Sequence, residues 1–397
     1  MIESPGGAGP AALRRATRAI VWRYVAVALF FDSLPTLTPQ LALAFGLSSN
    51  AFQTVLGSAF VAFALAQLAS APVIARVGTR TAIVCATLYL GVGATLVCLV
   101  TAPFAFVLIF LSMFAVNSIG SNATRLLTAR LEQGGGRGVL FARAYGWAQA
   151  KNVVAPLLVG AIAATFGWRM ALLMAIAPVI AVGIWVGSAM QRIDGISPDC
   201  SPRTRCWLAV LRSRSFIVPT LIAAAFQPAF GCAAARLPFH LADRVGADAF
   251  AIGLTVALAS AAIATGVVVG SRLARRWSSR RSIAVGSLMM GAGLICLLLA
   301  QTDAPPIIAT TGLIAIQSAY GFIVVPCLGE ALDTTDERRL PASSLFGFVQ
   351  PAIGGLSVAL SGTSPLSDVA TVTVLGTLSL TAIVALLFAA RPRTMAL

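Results

Sequence analysis

RAYGWAQAKNVVAPLLVGAIAATFGWR, residues 143–169, carries one charged side chain, Lys151, between its two flanking arginines. A helix needs roughly 20 consecutive apolar residues to cross the hydrocarbon core of a bilayer, and this stretch supplies them. Comparable runs recur along the 397-residue chain. We read twelve, at about 19–43, 52–74, 81–101, 103–124, 144–166, 168–190, 215–238, 249–271, 282–301, 305–329, 342–362 and 367–390. Strands of a membrane barrel would alternate in polarity over about 10 residues, whereas these runs are continuously apolar and rich in Ala, Leu and Gly. The composition agrees: 58% hydrophobic residues, 10% charged residues and a mean hydropathy of +0.91 leave lipid as the only fitting solvent. The expected fold class is therefore all-α, an integral membrane protein of twelve transmembrane helices.

The charges set an orientation. All but four of the 28 cationic residues fall in alternate gaps between the spans, the exceptions being Lys151, Arg169, Arg236 and Arg244. Basic residues in short loops stay on the cytoplasmic side, so both termini are expected there. The net charge of +15 is explained by this topology, and nucleic acid is not expected as a partner. The expected domains are a disordered cytoplasmic N-terminus (1–18), a six-helix bundle (19–190), a cytoplasmic linker (191–214), a second six-helix bundle (215–390) and a cytoplasmic tail (391–397). The first span is read as retained rather than cleaved. Seven cysteines, mostly within spans, read as small buried hydrophobes, and with one histidine, His240, neither a metal site nor another cofactor is expected. The single lysine leaves no Gly-x-x-x-x-Gly-Lys loop for ATP, so an ion gradient is expected to do the driving.

The two halves echo one another. Ala71-Pro72-Val73-Ile74-Ala75-Arg76 after the second span returns as Gly270-Ser271-Arg272-Leu273-Ala274-Arg275 after the eighth. Parallel six-helix repeats of this kind build midplane sites between two rocking bundles. Asp32 ahead of Pro35 and Pro39, Ala66-Gln67-Leu68 ahead of Ala71-Pro72, Ala155-Pro156 through Gly160 followed by Gly167-Trp168-Arg169, Gly321 to Pro326, and Ala342-Ser343-Ser344-Leu345 to Gln350 stand in order along the chain. Together they resemble the major facilitator superfamily, specifically its Bcr/CflA-type drug and metabolite exporters. The resemblance implies proton-coupled efflux of a small organic molecule, multidrug or metabolite, across a bacterial inner membrane by a monomer. Two positions depart from the family. In the gating loop Arg76, Gly78 and Arg80 are kept but the latch Asp is replaced by Ala75, and the intramembrane Arg of the fourth span is replaced by Phe110.

An ionised side chain at the bilayer centre costs about 2.5–3.5 kcal/mol even on insertion scales, so each demands a reason. Asp32 and Lys151 lie at matching depths if Arg23 and Arg143 mark the cytoplasmic edge. The resemblance makes the first and fifth spans neighbours, and the two residues are read as a proton-coupling pair in which Lys151 replaces the cation lost at Phe110. A static pair, or a lysine reaching back to the interface, is the alternative. Arg236 either reaches headgroup phosphate or faces the outward cavity. In the latter case two cations against one Asp favour anionic or zwitterionic cargo, such as a self-made siderophore. Asn117, Ser121, Asn122, Gln149, Gln317, Tyr320 and Gln350 complete the expected substrate cavity, each also readable as interhelical glue. Phe31, Phe226, Phe230 and Phe322 are candidate walls. An uptake permease on the same fold is the nearest rival; a non-transporting receptor or an intramembrane enzyme is the rival from another class, and no nucleophile–base pair within the spans favours the enzyme.

Overall fold

The computed structural model describes residues 10–132, 139–190, 204–273, 276–301, 305–333 and 336–389. Among them every element is helical: α1 (Pro10–Ala44), α2 (Ser49–Val77), α3 (Thr79–Leu99), α4 (Pro103–Glu132), α5 (Val139–Ala189), α6 (Thr204–Leu211), α7 (Arg214–Val245), α8 (Ala249–Leu273), α9 (Ser279–Leu299), α10 (Pro306–Leu332), α11 (Asp336–Ser361) and α12 (Asp368–Ala389). Eleven of these are long and apolar enough to cross a membrane. The eight-residue α6 lies in the expected linker, of which residues 191–203 are outside the described residues.

Glycines place the breaks. Gly46 (φ 63°) and Gly246 (φ 66°) end α1 and α7 in the left-handed region that only glycine enters freely. Gly78 (φ 83°) turns the chain between α2 and α3. Gly167 (φ 81°) interrupts the 51-residue α5, which therefore holds both the fifth and the sixth apolar run in two segments. The residues after that break lock it: Arg169 stacks over the Trp168 ring at 4.6 Å and donates from Nε to the Cys98 carbonyl at the end of α3, 3.1 Å. A cation on a terminal carbonyl also suits the negative end of the α3 dipole. Arg80 does the same for the end of α5, donating to the Gly187 carbonyl at 3.0 Å. Ser48 starts α2, its Oγ accepting from the Ala51 N–H at 3.1 Å.

The pattern of neighbours repeats in the two halves. In the first, α1 packs on α5, α2 on α4, and α3 on both α4 and α5; in the second, α7 packs on α11, α8 on α10, and α9 on both α10 and α12. The halves meet mainly through α2 against α11 and α5 against α8. The N-terminal boundary differs from expectation. Residues 10–18 belong to α1 and are helical rather than disordered, because Ala-rich sequence without an internal proline continues the helix ahead of the first apolar run.

A candidate substrate cavity between the halves

Small residues bring the two halves into backbone contact on the side away from the termini. A Cβ at Gly57 of α2 would collide with the Ala359 nitrogen and the Gly355 carbonyl of α11, and one at Gly362 would collide with the Asn50 carbonyl. Across the second seam, a Cβ at Gly160 of α5 would meet the Ala249 carbonyl of α8 at 2.6 Å, and one at Gly253 would meet the Pro156 carbonyl at 2.5 Å. Ala155 is buried beside it. The Ala155, Pro156 and Gly160 motif thus forms part of the seam between halves. Polar fasteners join the same region: Gln53 of α2, fully buried, donates to the Ala235 carbonyl of α7 at 2.9 Å.

Behind this seal the halves separate around a cavity of about 500 Å³, the size class of small-molecule sites. The first half contributes Arg23, Phe31, Asp32 and Thr38 from α1, Leu56, Phe60 and Phe63 from α2, and Phe114, Asn117 and Ser121 from α4. The second contributes Phe230 and Pro238 from α7, Thr255, Ala259 and Ser260 from α8, and Leu313 and Gln317 from α10. The walls are chiefly aromatic and aliphatic, with a few polar groups at intervals. Asn117 and Ser121 stand one helical turn apart, the Ser121 hydroxyl donating to the side-chain Oδ1 of Asn117 at 3.4 Å.

Of the expected cavity residues, Asp32, Asn117, Ser121 and Gln317 therefore line one space, joined by Phe31 and Phe230. Others do not. Asn122 turns away and donates from Nδ2 to Ser70 Oγ at 2.6 Å, tying α4 to α2. Gln350 accepts from Gln227 Nε2 at 2.9 Å, a bond within the second half. Tyr320 stands behind Phe230, the rings 5.1 Å apart, and Phe226 packs against both. Phe322 is buried against α9 beside Gly286. In the gating loop Arg76 is exposed and Gly78 makes the turn. The side chains of Lys151 and Gln149 lie outside the described residues; their backbone belongs to α5, which does pack along α1, where Asp32 is half-buried.

Arg236 stands apart from the cavity of this conformation. It is 1% exposed and held within a network of its own. Nη1 donates to Asp368 Oδ1 at 2.5 Å, Nε to Ser361 Oγ at 3.1 Å, Nη2 to the Ser361 carbonyl and, across the halves, to Asn50 Oδ1 at 3.3 Å. Its charge is answered by Asp368, so it adds no net cation to the substrate site.

Arg23 is the residue that sequence reasoning misplaces. Grouped with the terminal arginines as a loop charge, it is instead 1% exposed inside the first half and lines the cavity. Nε donates to Thr87 Oγ1 of α3 at 2.8 Å, and the guanidinium lies against α4 at Gly120, where a Cβ would come within 2.6 Å of Nη2. The position of Arg23 inside the first apolar run, between Trp22 and Tyr24, is the available signal. Phe110 is 3% exposed and belongs to an aromatic column, Phe45–Phe106–Phe110–Phe114–Phe31, with successive centroids 4.2–5.4 Å apart.

A helical bundle with a mid-depth cavity between two similarly arranged halves defines a membrane transporter. A model of the Major Facilitator Superfamily matches residues 23–362, and the chain belongs to that superfamily. Among solved structures it is similar to the peptide transporter PepTSo of the POT family (TM-score 0.80, 13% identity, 95% of this chain and 98% of that one). It is also similar to the nucleoside transporter NupG (0.67, 12%, 95% and 98%) and to a bacterial homologue of the human lysosomal transporter Spinster in an inward-facing, unoccupied conformation (0.68, 13%, 96% and 95%). At such identities the likeness is one of fold. No curated protein sequence matches the chain.

Proposed function

We propose that this chain is a proton-coupled exporter of a small organic molecule, a drug or a self-made metabolite, working by alternating access as a monomer in a bacterial inner membrane. The α5 break at Gly167 supports counting twelve crossings, and the loop arginines support cytoplasmic termini. On that topology the chain is sealed toward the outside, the inward-facing arrangement from which an exporter loads. The observation that carries the reading is the cavity of about 500 Å³ shared by both halves behind the α2–α11 and α5–α8 seams. The similar structures, transporters of peptides and nucleosides by name, fit a small polar-tipped cargo. Placement of Ala155, Pro156 and Gly160 in the α5–α8 seam gives the exporter-type motif a mechanical role, since that seam must part for release. Asp32 on the cavity wall is the group through which proton movement meets cargo movement.

The test has two stages. Compounds released into the medium by a deletion strain and its parent are compared to find the cargo. Everted vesicles with an acidified lumen then accumulate that cargo if the chain exports it in exchange for protons. Accumulation that needs the opposite gradient would make it an uptake permease, and binding without flux would make it a receptor.

A further inference from the structure

Among the described residues two arginines, Arg23 and Arg236, are buried among the helices, and their surroundings differ in one respect. Arg236 has a carboxylate, two oxygens of Ser361 and the Asn50 amide oxygen around it. Among the described residues Arg23 has one hydrogen bond, to a neutral hydroxyl, and neither an ion pair nor a partner for Nη2. A buried guanidinium without an anion is costly and is retained where something else supplies the charge. The planar fork of Arg suits a carboxylate or phosphate in particular. Arg23 is on the wall of the central cavity, as are Asn117 and Ser121 of α4, the helix on which its guanidinium rests.

We infer that Arg23 is the anion-binding residue of the cavity, and that the cargo carries a carboxylate on an aromatic or branched apolar body. The carboxylate oxygens take the guanidinium where it lines the cavity, and the Nδ2 of Asn117, whose Oδ1 accepts from Ser121, supplies a further donor. The apolar body lies among Phe31, Phe60, Phe63, Phe114 and Phe230, which line the rest of the space. This rests on the transport reading and names its substrate class. It also moves the cationic determinant from Arg236, which is neutralised, to a residue at the terminal end of the cavity.

The test is binding to the purified full chain in maltoside micelles, which contain no phosphate headgroup to occupy the site. The probes are 4-phenylbutyrate, its neutral amide, 4-phenylbutylamine and phenyl phosphate, with affinity read from ligand-dependent thermal shift. The carboxylate is expected to bind at least about tenfold more tightly than the amide or the amine, a difference of about 1.4 kcal/mol. Arg23→Gln is expected to remove that preference while the weak binding of the amide persists; Arg23→Lys restores part of it. Monodisperse elution and the unliganded Tm report whether the variants fold. Should Arg23→Gln not fold, the charge preference of the unaltered chain and its reduction in Asn117→Ala decide the matter. Preference for the amine, equal binding of carboxylate and amide, a loss in Arg23→Gln of no more than about threefold, or no binding of the carboxylate overturns the inference. Preference for phenyl phosphate over the carboxylate overturns the carboxylate assignment. Proton-driven flux of a cationic cargo would leave the transporter reading standing and remove this one.

Discussion

Arg236 of α7 reaches Asn50 of α2 with the same guanidinium that pairs with Asp368 of α12, so a single side chain closes a charge within one half and fastens that half to the other. Removing one partner of a buried pair leaves the other charge unanswered and costs about 3–5 kcal/mol. Asp368 keeps 17% exposure, which moderates the loss toward the lower figure. Asp368→Asn is therefore expected to lower the Tm of the solubilised protein strongly. The pair Arg236→Gln with Asp368→Asn is expected to be more stable than Asp368→Asn alone, as thermal unfolding of the three proteins would show.

The seam at Gly57 has no room for a side chain. Gly57→Val is expected to hold α2 and α11 apart on the side away from the termini and to shift the population toward the state open there. Spin labels at Ser48 and Ser364 should report a longer mean distance in this variant than in the parent, and an unchanged distribution would show that the seam accommodates the substitution.

Two asparagines five residues apart on α4 have different work. Asn117 lines the cavity, whereas Asn122 bonds to Ser70. Asn117→Ala is expected to weaken 4-phenylbutyrate several-fold with little change in unliganded Tm. Asn122→Ala is expected to leave that affinity alone and cost about 1 kcal/mol of stability, the usual worth of an intramolecular hydrogen bond.

If Asp32 and Lys151 form the coupling pair, Asp32→Asn and Lys151→Ala each uncouple flux from the pH gradient. Transport of the cargo down its own gradient would continue in both, while its acceleration by an acidic lumen would vanish. Retention of that acceleration in both variants would assign Asp32 to substrate contact alone.

The spans are legible because a run of about 20 apolar residues has few meanings in water, and the seams are partly legible because Ala155, Pro156 and Gly160 carry a recognisable motif. What escapes depends on distance along the chain. Nothing near Arg236 in sequence announces Asp368 or Asn50, which lie 132 and 186 positions away and reach it only once α12 and α2 are packed. Asn122 and Gln350 are polar in the way Asn117 is, and only the rotation of each helix decides which faces the cavity. Arg23 misleads for a different reason: at the end of an arginine-rich segment it resembles its neighbours, although helix α1 continues past it with the guanidinium turned toward α3 and α4. The short α6 is hidden by the polar residues around it.

Because main chain lies close against main chain at Gly57 in the α2–α11 seam and at Gly160 and Gly253 in the α5–α8 seam, parting the halves there disentangles few side chains. Such a closure resembles two plates held by a few pins, among them Arg236 to Asn50, Gln53 to Ala235 and Thr54 to Ala359. The resistance to opening then resides in those pins rather than in the plates, and a cargo or proton need disturb only a handful of polar bonds to swing the whole assembly.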